Sequence, residues 1–189
     1  LAALCVMQGR FDGLIKLLRK ALQLKPNYPD AHNNLGIALK EQGDLSGAIA
    51  SYNTALKLKP NYPDAHNNLG IALQEQGDLT AAIASYNAAL KLKSNHPEAH
   101  FNLGNALKEQ GDLAAAIASY NSALKLKHNY PEAHYNLGNA LKEQGDLDAA
   151  VASYSTALQL KPGHPEAHSN LGNALQEQGD LDAAIASYN

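Results

Sequence analysis

The feature that most constrains this chain is a motif that recurs every 34 residues. The motif reads Pro-Asp/Glu-Ala-His-x-Asn-Leu-Gly, and it begins at Pro29, Pro63, Pro97, Pro131 and Pro165. A second motif, Glu-Gln-Gly-Asp-Leu, has the same period and begins at Glu41, Glu75, Glu109, Glu143 and Glu177. A fixed period between about 20 and 50 residues is typical of solenoids and other repeat arrays. Repeat positions are counted below from the proline of the first motif.

The period predicts that residues 1–189 form a single array. The whole repeats are 29–62, 63–96, 97–130 and 131–164, and partial repeats occupy 1–28 and 165–189. Because both ends of the sequence fall inside a repeat, we expect the array to be a piece of a longer chain.

Each repeat is predicted to form two helices. In the copy that starts at Pro29, apolar residues recur at helical spacing after a proline that suits a first helical turn. Gly43 is a candidate left-handed C-cap, and a second apolar stripe starts at Leu45 and ends before Pro60. The sequence therefore predicts an all-α chain of helix pairs.

A glycine at position 8 of each repeat predicts how the two helices pack. These glycines are Gly36, Gly70, Gly104, Gly138 and Gly172. A glycine inside a helix costs about 1 kcal/mol relative to alanine, so close approach of the second helix must compensate. We expect the alanine at position 20 to provide the small facing surface and the tyrosine at position 24 to fill the core.

The pattern resembles the tetratricopeptide repeat (TPR). In the copy from Pro29 it reads His32-x2-Leu35-Gly36-x2-Leu39, then Ala48-x3-Tyr52, then Ala55 and Pro60. The resemblance covers essentially the whole chain, although His and Leu replace two aromatic residues of the consensus. It implies a right-handed superhelical solenoid of antiparallel helix pairs, in which the first helices line a concave ligand-binding groove.

Helical geometry predicts which side chains face that groove. Positions 2, 6, 9 and 13 are three or four residues apart and lie on one stripe of the first helix, away from packing positions 3, 7, 8, 10 and 11. Positions 6 and 9 supply asparagines, at Asn34, Asn68, Asn102, Asn136 and Asn170 and at Asn105, Asn139 and Asn173. Further candidates for peptide binding are Lys40, Lys108, Lys142, Phe101 and Tyr135.

A ladder of asparagines suits a polypeptide ligand. A primary amide offers both a donor and an acceptor, as a peptide backbone does, so asparagine can hold an extended chain without reading its side chains. Two other interpretations stay open at this stage. The asparagines could bridge adjacent repeats, or they could be shared because the repeats were copied from one another.

The position-6 asparagines, together with the segment Ile49 to Pro60, are similar to the repeat arm of O-linked N-acetylglucosamine transferase and its SPINDLY-like relatives. In that family an asparagine ladder holds the substrate polypeptide. The similarity is confined to the arm, and no residues here resemble the catalytic half. Many bacterial multi-TPR proteins share the same style of repeat.

No catalytic residue, metal site or cofactor is predicted for this segment, which we expect not to be an enzyme. The sequence has no phosphate-binding glycine loop, nucleophile elbow or HExxH motif. Histidine recurs at position 4, where it is predicted to pack at the repeat junction rather than to bind metal. Serine recurs at position 23 of the repeat, where we expect it to face outwards.

Composition limits the partners. A formal net charge of −3 argues against a general nucleic-acid binder, and no apolar run approaches the length needed to cross a bilayer. One cysteine fits a reducing compartment. We expect a cytoplasmic protein, with a periplasmic location left open.

Three functions compete. The favoured one is a scaffold that binds an extended protein or peptide segment in its concave groove. The first alternative is the substrate-recruiting arm of a larger glycosyltransferase or of another transferase. The second is a self-assembling element, in which uncapped repeats associate end to end.

Overall fold

The computed structural model describes residues 2–188, and side chains from residue 11 onwards. The chain divides into two compact units, Leu1–Ser94 and Asn95–Asn189. All regular structure in the described residues is α-helical, which confirms the predicted fold class. The helices of the first unit are α1 (Ala2–Leu24), α2 (Pro29–Gln42), α3 (Leu45–Leu58), α4 (Pro63–Gln76) and α5 (Leu79–Leu92). Those of the second unit are α6 (Pro97–Gln110), α7 (Leu113–Leu126), α8 (Pro131–Gln144), α9 (Leu147–Leu160), α10 (Pro165–Gln178) and α11 (Leu181–Tyr188).

Within each unit the helices pack in sequence order. The two helices of a repeat contact each other, and the second helix then contacts the first helix of the next repeat. In the first unit this order runs from α1 to α5, and in the second it runs from α6 to α11. Each unit is therefore a short stack of helix pairs.

Two residues, Gly and Asp, make each turn inside a repeat. Gly43 has φ of 91°, a left-handed conformation that glycine adopts without steric cost, and its N–H is bonded to the last carbonyls of α2. Asp44 follows directly and caps α3, because its side chain accepts a hydrogen bond from the backbone N–H of Gly47 at 2.9 Å. One helix ends and the next begins within two residues, as the sequence predicts.

The first partial repeat differs, since α1 runs without a break through Gly9 and Arg10. Every later repeat has aspartate where Arg10 stands, and that aspartate is the residue that caps the second helix. Gly9 occupies the position of the C-cap glycine Gly43, but without the aspartate that caps the next helix the helix continues through it.

The core of each repeat is a tyrosine ring packed on a glycine. Tyr52, Tyr86, Tyr120 and Tyr154 are fully buried. A Cβ built on Gly138 would come within 2.6 Å of the Tyr154 ring, and the other position-8 glycines show the same conflict. The predicted close approach is thus confirmed, and the tyrosine ring itself is what requires the glycine.

The prediction for the position-23 serines was wrong. Ser51, Ser85, Ser119 and Ser153 are buried rather than outward-facing. Each hydroxyl donates to the backbone carbonyl four residues earlier, for example from Ser119 to Ala115 at 2.9 Å. This bond satisfies the hydroxyl inside the helix, which allows a small polar side chain in the core.

Candidate functional site

The predicted stripe of the first helices separates from the packing positions as helical geometry requires. In α8, Ala133, Leu137, Gly138 and Ala140 are buried, whereas Asn136 and Asn139 between them are half-buried. The carboxylates at positions 2 and 13 are exposed throughout the described repeats. The asparagines therefore lie on a face that is open to solvent along one edge.

In the second unit, the asparagines of positions 6 and 9 are hydrogen-bonded to each other across the repeat junction. Asn136 Nδ2 donates to Asn105 Oδ1 at 2.8 Å, and Asn170 Nδ2 donates to Asn139 Oδ1 at 2.9 Å. The interpretation that asparagine bridges adjacent repeats is therefore correct for the Nδ2 group at position 6 and the Oδ1 atom at position 9. It does not exclude a ligand, because each amide has further hydrogen-bonding capacity.

The same position-9 amides also satisfy the buried tyrosines. The Tyr120 hydroxyl donates to Asn105 Oδ1 at 2.9 Å, and the Tyr154 hydroxyl donates to Asn139 Oδ1 at 2.8 Å. Tyr188, which is exposed, makes the same bond to Asn173 Oδ1 at 2.7 Å. The polar surface and the core of a repeat are thus joined through one amide oxygen.

The first unit lacks this arrangement because isoleucine occupies position 9. Asn68 Nδ2 donates instead to Oδ1 of Asn33, a buried residue at position 5, at 3.1 Å. Tyr86 donates to Gln74 Oε1 at 3.0 Å. The repeat of Tyr52 has Ile37 at position 9 and Lys40 at position 12, so its buried hydroxyl has no acceptor.

The three candidate lysines are held in ion pairs that cross a repeat junction. Lys40 lies 3.4 Å from Glu75, Lys108 lies 3.1 Å from Glu143, and Lys142 lies 2.8 Å from Glu177. Burial lowers the pKa of Lys40, but its hydrogen bond to Glu41 and the charges of Glu75 and Glu41 outweigh this effect and raise it. Each of these lysines thus joins two adjacent repeats through its ion pair.

The aromatic candidates Phe101 and Tyr135 are half-buried in ring stacks. The Phe101 ring lies 4.9 Å from that of Tyr130, and the Tyr135 ring lies 4.7 Å from the imidazole of His164. The Tyr135 hydroxyl also accepts a hydrogen bond from Asn170 Nδ2 at 3.1 Å. Tyr135 therefore contacts one of the candidate asparagines, whereas Phe101 precedes Asn102 on the same helix and packs against tyrosine rings.

The position-4 histidines have a structural partner. His32, His66, His134 and His168 each place Nε2 about 2.8 to 3.1 Å from the backbone carbonyl six residues earlier, in the loop before the helix. The ring thus ties the loop to the helix that follows it. Among the described residues, no group of three or more His, Cys, Asp or Glu side chains could hold a metal ion.

Open cavities lie apart from the asparagines of positions 6 and 9. One of about 490 Å³ lies between α1 and α2 and is lined in part by Lys16, Arg19 and Lys20. Another, of about 530 Å³, is lined in part by Asn121 and His128. A third, of about 450 Å³, is lined in part by His168 and Ser187.

None of the helices in residues 2–188 has the length and apolar character needed to cross a membrane.

The two units differ in charge. Residues 1–94 carry ten Lys and Arg against seven Asp and Glu, a formal charge of +3. Residues 95–189 carry five against eleven, a formal charge of −6. The candidate asparagines of position 9 all lie in the acidic unit.

Comparisons with known proteins agree with the repeat pattern. A sequence model of the TPR repeat matches five times, at residues 4–43, 38–77, 72–111, 104–145 and 138–179. A crystal structure of MamA is 30% identical, with a TM-score of 0.78 over 82% of this chain and 90% of that one. No curated protein sequence matches significantly.

Two further solved structures share the fold. YrrB, described as a TPR protein with an unusual peptide-binding site, is 22% identical, with a TM-score of 0.76 over 90% of this chain and 88% of that one. PilF of Pseudomonas aeruginosa is 21% identical, with a TM-score of 0.81 over 96% of this chain and 90% of that one. At these identities the likeness concerns the fold alone.

Proposed function

Because the chain belongs to the tetratricopeptide repeat family, a repeat scaffold, we propose that it binds an extended polypeptide segment through the asparagines of its first helices. The observation that carries the proposal is the half-exposed row of amides in the second unit, where Asn105, Asn136, Asn139 and Asn170 follow one another in adjacent repeats. An extended chain presents backbone carbonyls and N–H groups at regular intervals, and a row of fixed amides can bind them in turn.

The charge of the second unit supports a neutral or basic ligand. Its formal charge is −6, and the exposed acids Glu132, Glu143 and Glu177 flank the amides. Complementary charge raises the association rate and excludes ligands of like charge. We expect an acidic segment to bind more weakly than a basic one of the same length.

A peptide-binding measurement tests this proposal. The probes are two labelled, unstructured peptides of about 15 residues, each rich in Ser, Thr and Val, one with three lysines and one with three glutamates. Fluorescence anisotropy with the intact chain is expected to give a lower Kd for the basic peptide. Binding of neither peptide at micromolar to millimolar concentration would refute the proposal.

A double alanine variant connects that binding to the asparagines. Asn136→Ala with Asn170→Ala removes two members of the row, and the affinity is expected to fall while the helical content stays. Asn53→Ala with Asn121→Ala is the matched control, since both residues are exposed on second helices. Equal affinity of the two variants would contradict the role of the row.

End-to-end self-association is a second candidate. The side chains of Leu181 and Ile185 on α11, the last helix of the described residues, are 58% and 61% exposed. Either a following repeat or a second copy would cover that face. Light scattering over a dilution series tests it, and a mass that stays monomeric at every concentration would rule it out.

The alternative of a transferase arm keeps the same binding surface. It adds a claim about sequence outside these 189 residues. The reading frame of the native gene tests it, because a glycosyltransferase domain in the same frame would make the bound polypeptide a substrate.

A further inference from the structure

The amide oxygens of position 9 in the second unit are fully used inside the protein. Asn105 Oδ1 accepts hydrogen bonds from Tyr120 and Asn136, and Asn139 Oδ1 accepts from Tyr154 and Asn170. A carbonyl oxygen has two lone pairs, so neither oxygen has one left for a ligand.

The buried tyrosines fix the orientation of these amides. Turning the Asn139 amide over would place its NH2 group against the Tyr154 hydroxyl, which would then have to accept the hydrogen bond. The phenol hydrogen would be left in the core without an acceptor, at a cost comparable to a lost buried hydrogen bond. Tyr86 illustrates the same preference, since it donates to an amide oxygen of Gln74 where position 9 is isoleucine.

This orientation leaves an amide NH2 group available at position 9 and an amide oxygen available at position 6. No hydrogen bond within the described residues uses Nδ2 of Asn105 or Asn139, so both amide hydrogens of each can be donated outwards. Asn136 and Asn170 already donate from Nδ2, so their oxygens are the groups that can accept. The half-exposed surface therefore has a donor row at position 9 and an acceptor row at position 6.

We infer that the second unit binds its ligand with a fixed polarity: backbone carbonyl oxygens of an extended segment accept hydrogen bonds from Nδ2 of Asn105 and Asn139, and backbone N–H groups donate to Asn136 and Asn170. The inference rests on the proposed peptide-binding function and adds to it. It makes Asn105 and Asn139 the residues that distinguish a carbonyl-bearing ligand from one that offers only donors.

Asparagine-to-aspartate substitution isolates the outward donors. In Asn139→Asp, a carboxylate oxygen can still accept from Tyr154 and Asn170, and only the NH2 group is lost. In Asn139→Leu, the acceptor is lost as well. We expect the melting temperature of Asn139→Asp to stay close to that of the native chain and that of Asn139→Leu to fall. Equal losses in the two variants would overturn the assigned orientation, and this result needs no ligand.

The binding arm uses the basic peptide and a neutral peptide in which the three lysines are replaced by serine. Asn105→Asp with Asn139→Asp is expected to weaken binding of both peptides at least tenfold, even though the added negative charge should favour the basic one. The control is Asn121→Asp with Asn129→Asp, which adds the same charge at exposed positions of the same unit and should leave Kd within about twofold.

The outcomes separate the two proposals. If the native chain binds and the double aspartate variant binds equally well, the donor row is refuted while peptide binding stands. If the native chain binds neither peptide, the proposed function fails, and the polarity fails with it as a binding claim.

Discussion

The buried hydroxyl of Tyr52 tests whether the hydrogen bond from a core tyrosine to a position-9 amide stabilises a repeat. Tyr52 and Tyr154 occupy the same repeat position, and both are fully buried. Tyr154 donates to Asn139, whereas Tyr52 has no acceptor. Phenylalanine in place of each tyrosine should therefore change stability in opposite directions.

The expected magnitudes follow from the hydrogen-bond balance. Tyr154→Phe removes one satisfied hydrogen bond, which contributes about 1 kcal/mol to the free energy of unfolding. Tyr52→Phe removes a buried polar group without a partner, whose desolvation costs about 1 to 3 kcal/mol. The two variants should thus differ by about 2 kcal/mol or more, with Tyr52→Phe the more stable.

A gain-of-contact variant tests the same reasoning from the other side. Ile37→Asn supplies the amide oxygen that Tyr52 lacks and should stabilise the chain by about 1 kcal/mol. Ile71→Asn is the matched control, because Tyr86 already donates to Gln74 and gains nothing. Guanidinium unfolding followed by circular dichroism measures all four variants. Equal destabilisation by Tyr52→Phe and Tyr154→Phe would refute the account.

The remaining predictions concern the core and alkaline pH. Gly138→Ala should destabilise the chain by about 1 to 3 kcal/mol, because its Cβ meets the buried Tyr154 ring. Gly13→Ala, at a helical glycine with no atom within 4 Å of the added Cβ, should instead stabilise it by up to about 1 kcal/mol. Thermal melting measures both variants, and a higher melting temperature for both would contradict the packing of Tyr154 on Gly138. Burial raises the pKa of Tyr120 and Tyr154 well above the usual value of about 10, and burial with nearby acids raises that of Tyr130 to about 12. Above pH 10 these phenols stay protonated in the folded state, whereas those of the unfolded state ionise. The contribution of their burial to the free energy of unfolding should therefore be fully present below pH 10 and should be lost as the pH rises above it. Absorbance at 295 nm should show the buried tyrosinates forming together with unfolding, and their ionisation in a folded chain at pH 10 would contradict this burial.

Much of the fold could be predicted because each signal was local. A proline, a glycine and an aspartate mark the helix ends of every repeat, and the structure places the boundaries there. The close packing at position 8 could also be predicted, because a glycine inside a helix is unfavourable and its presence in five repeats indicates a compensating contact.

The site was less predictable because its contacts join residues about one repeat apart. Helical spacing places Asn136 and Asn139 on one stripe, but it gives no information about which amide atom faces the next repeat. The bonds from Tyr154 and Asn170 to Asn139 depend on the distance between adjacent helices. The burial of the serine at position 23 was also not predicted from the sequence. Its hydroxyl donates to a backbone carbonyl in the same helix, so the side chain needs no contact with water.

A titration of the ¹⁵N-labelled chain with the basic peptide tests most directly whether a polypeptide binds to the asparagines of positions 6 and 9. The side-chain amide resonances of Asn105 and Asn139 are expected to shift with a common Kd, while those of the exposed Asn53 and Asn121 stay in place. Shifts confined to Asn53, Asn121 or the residues lining the open cavities would show that the peptide does not bind there.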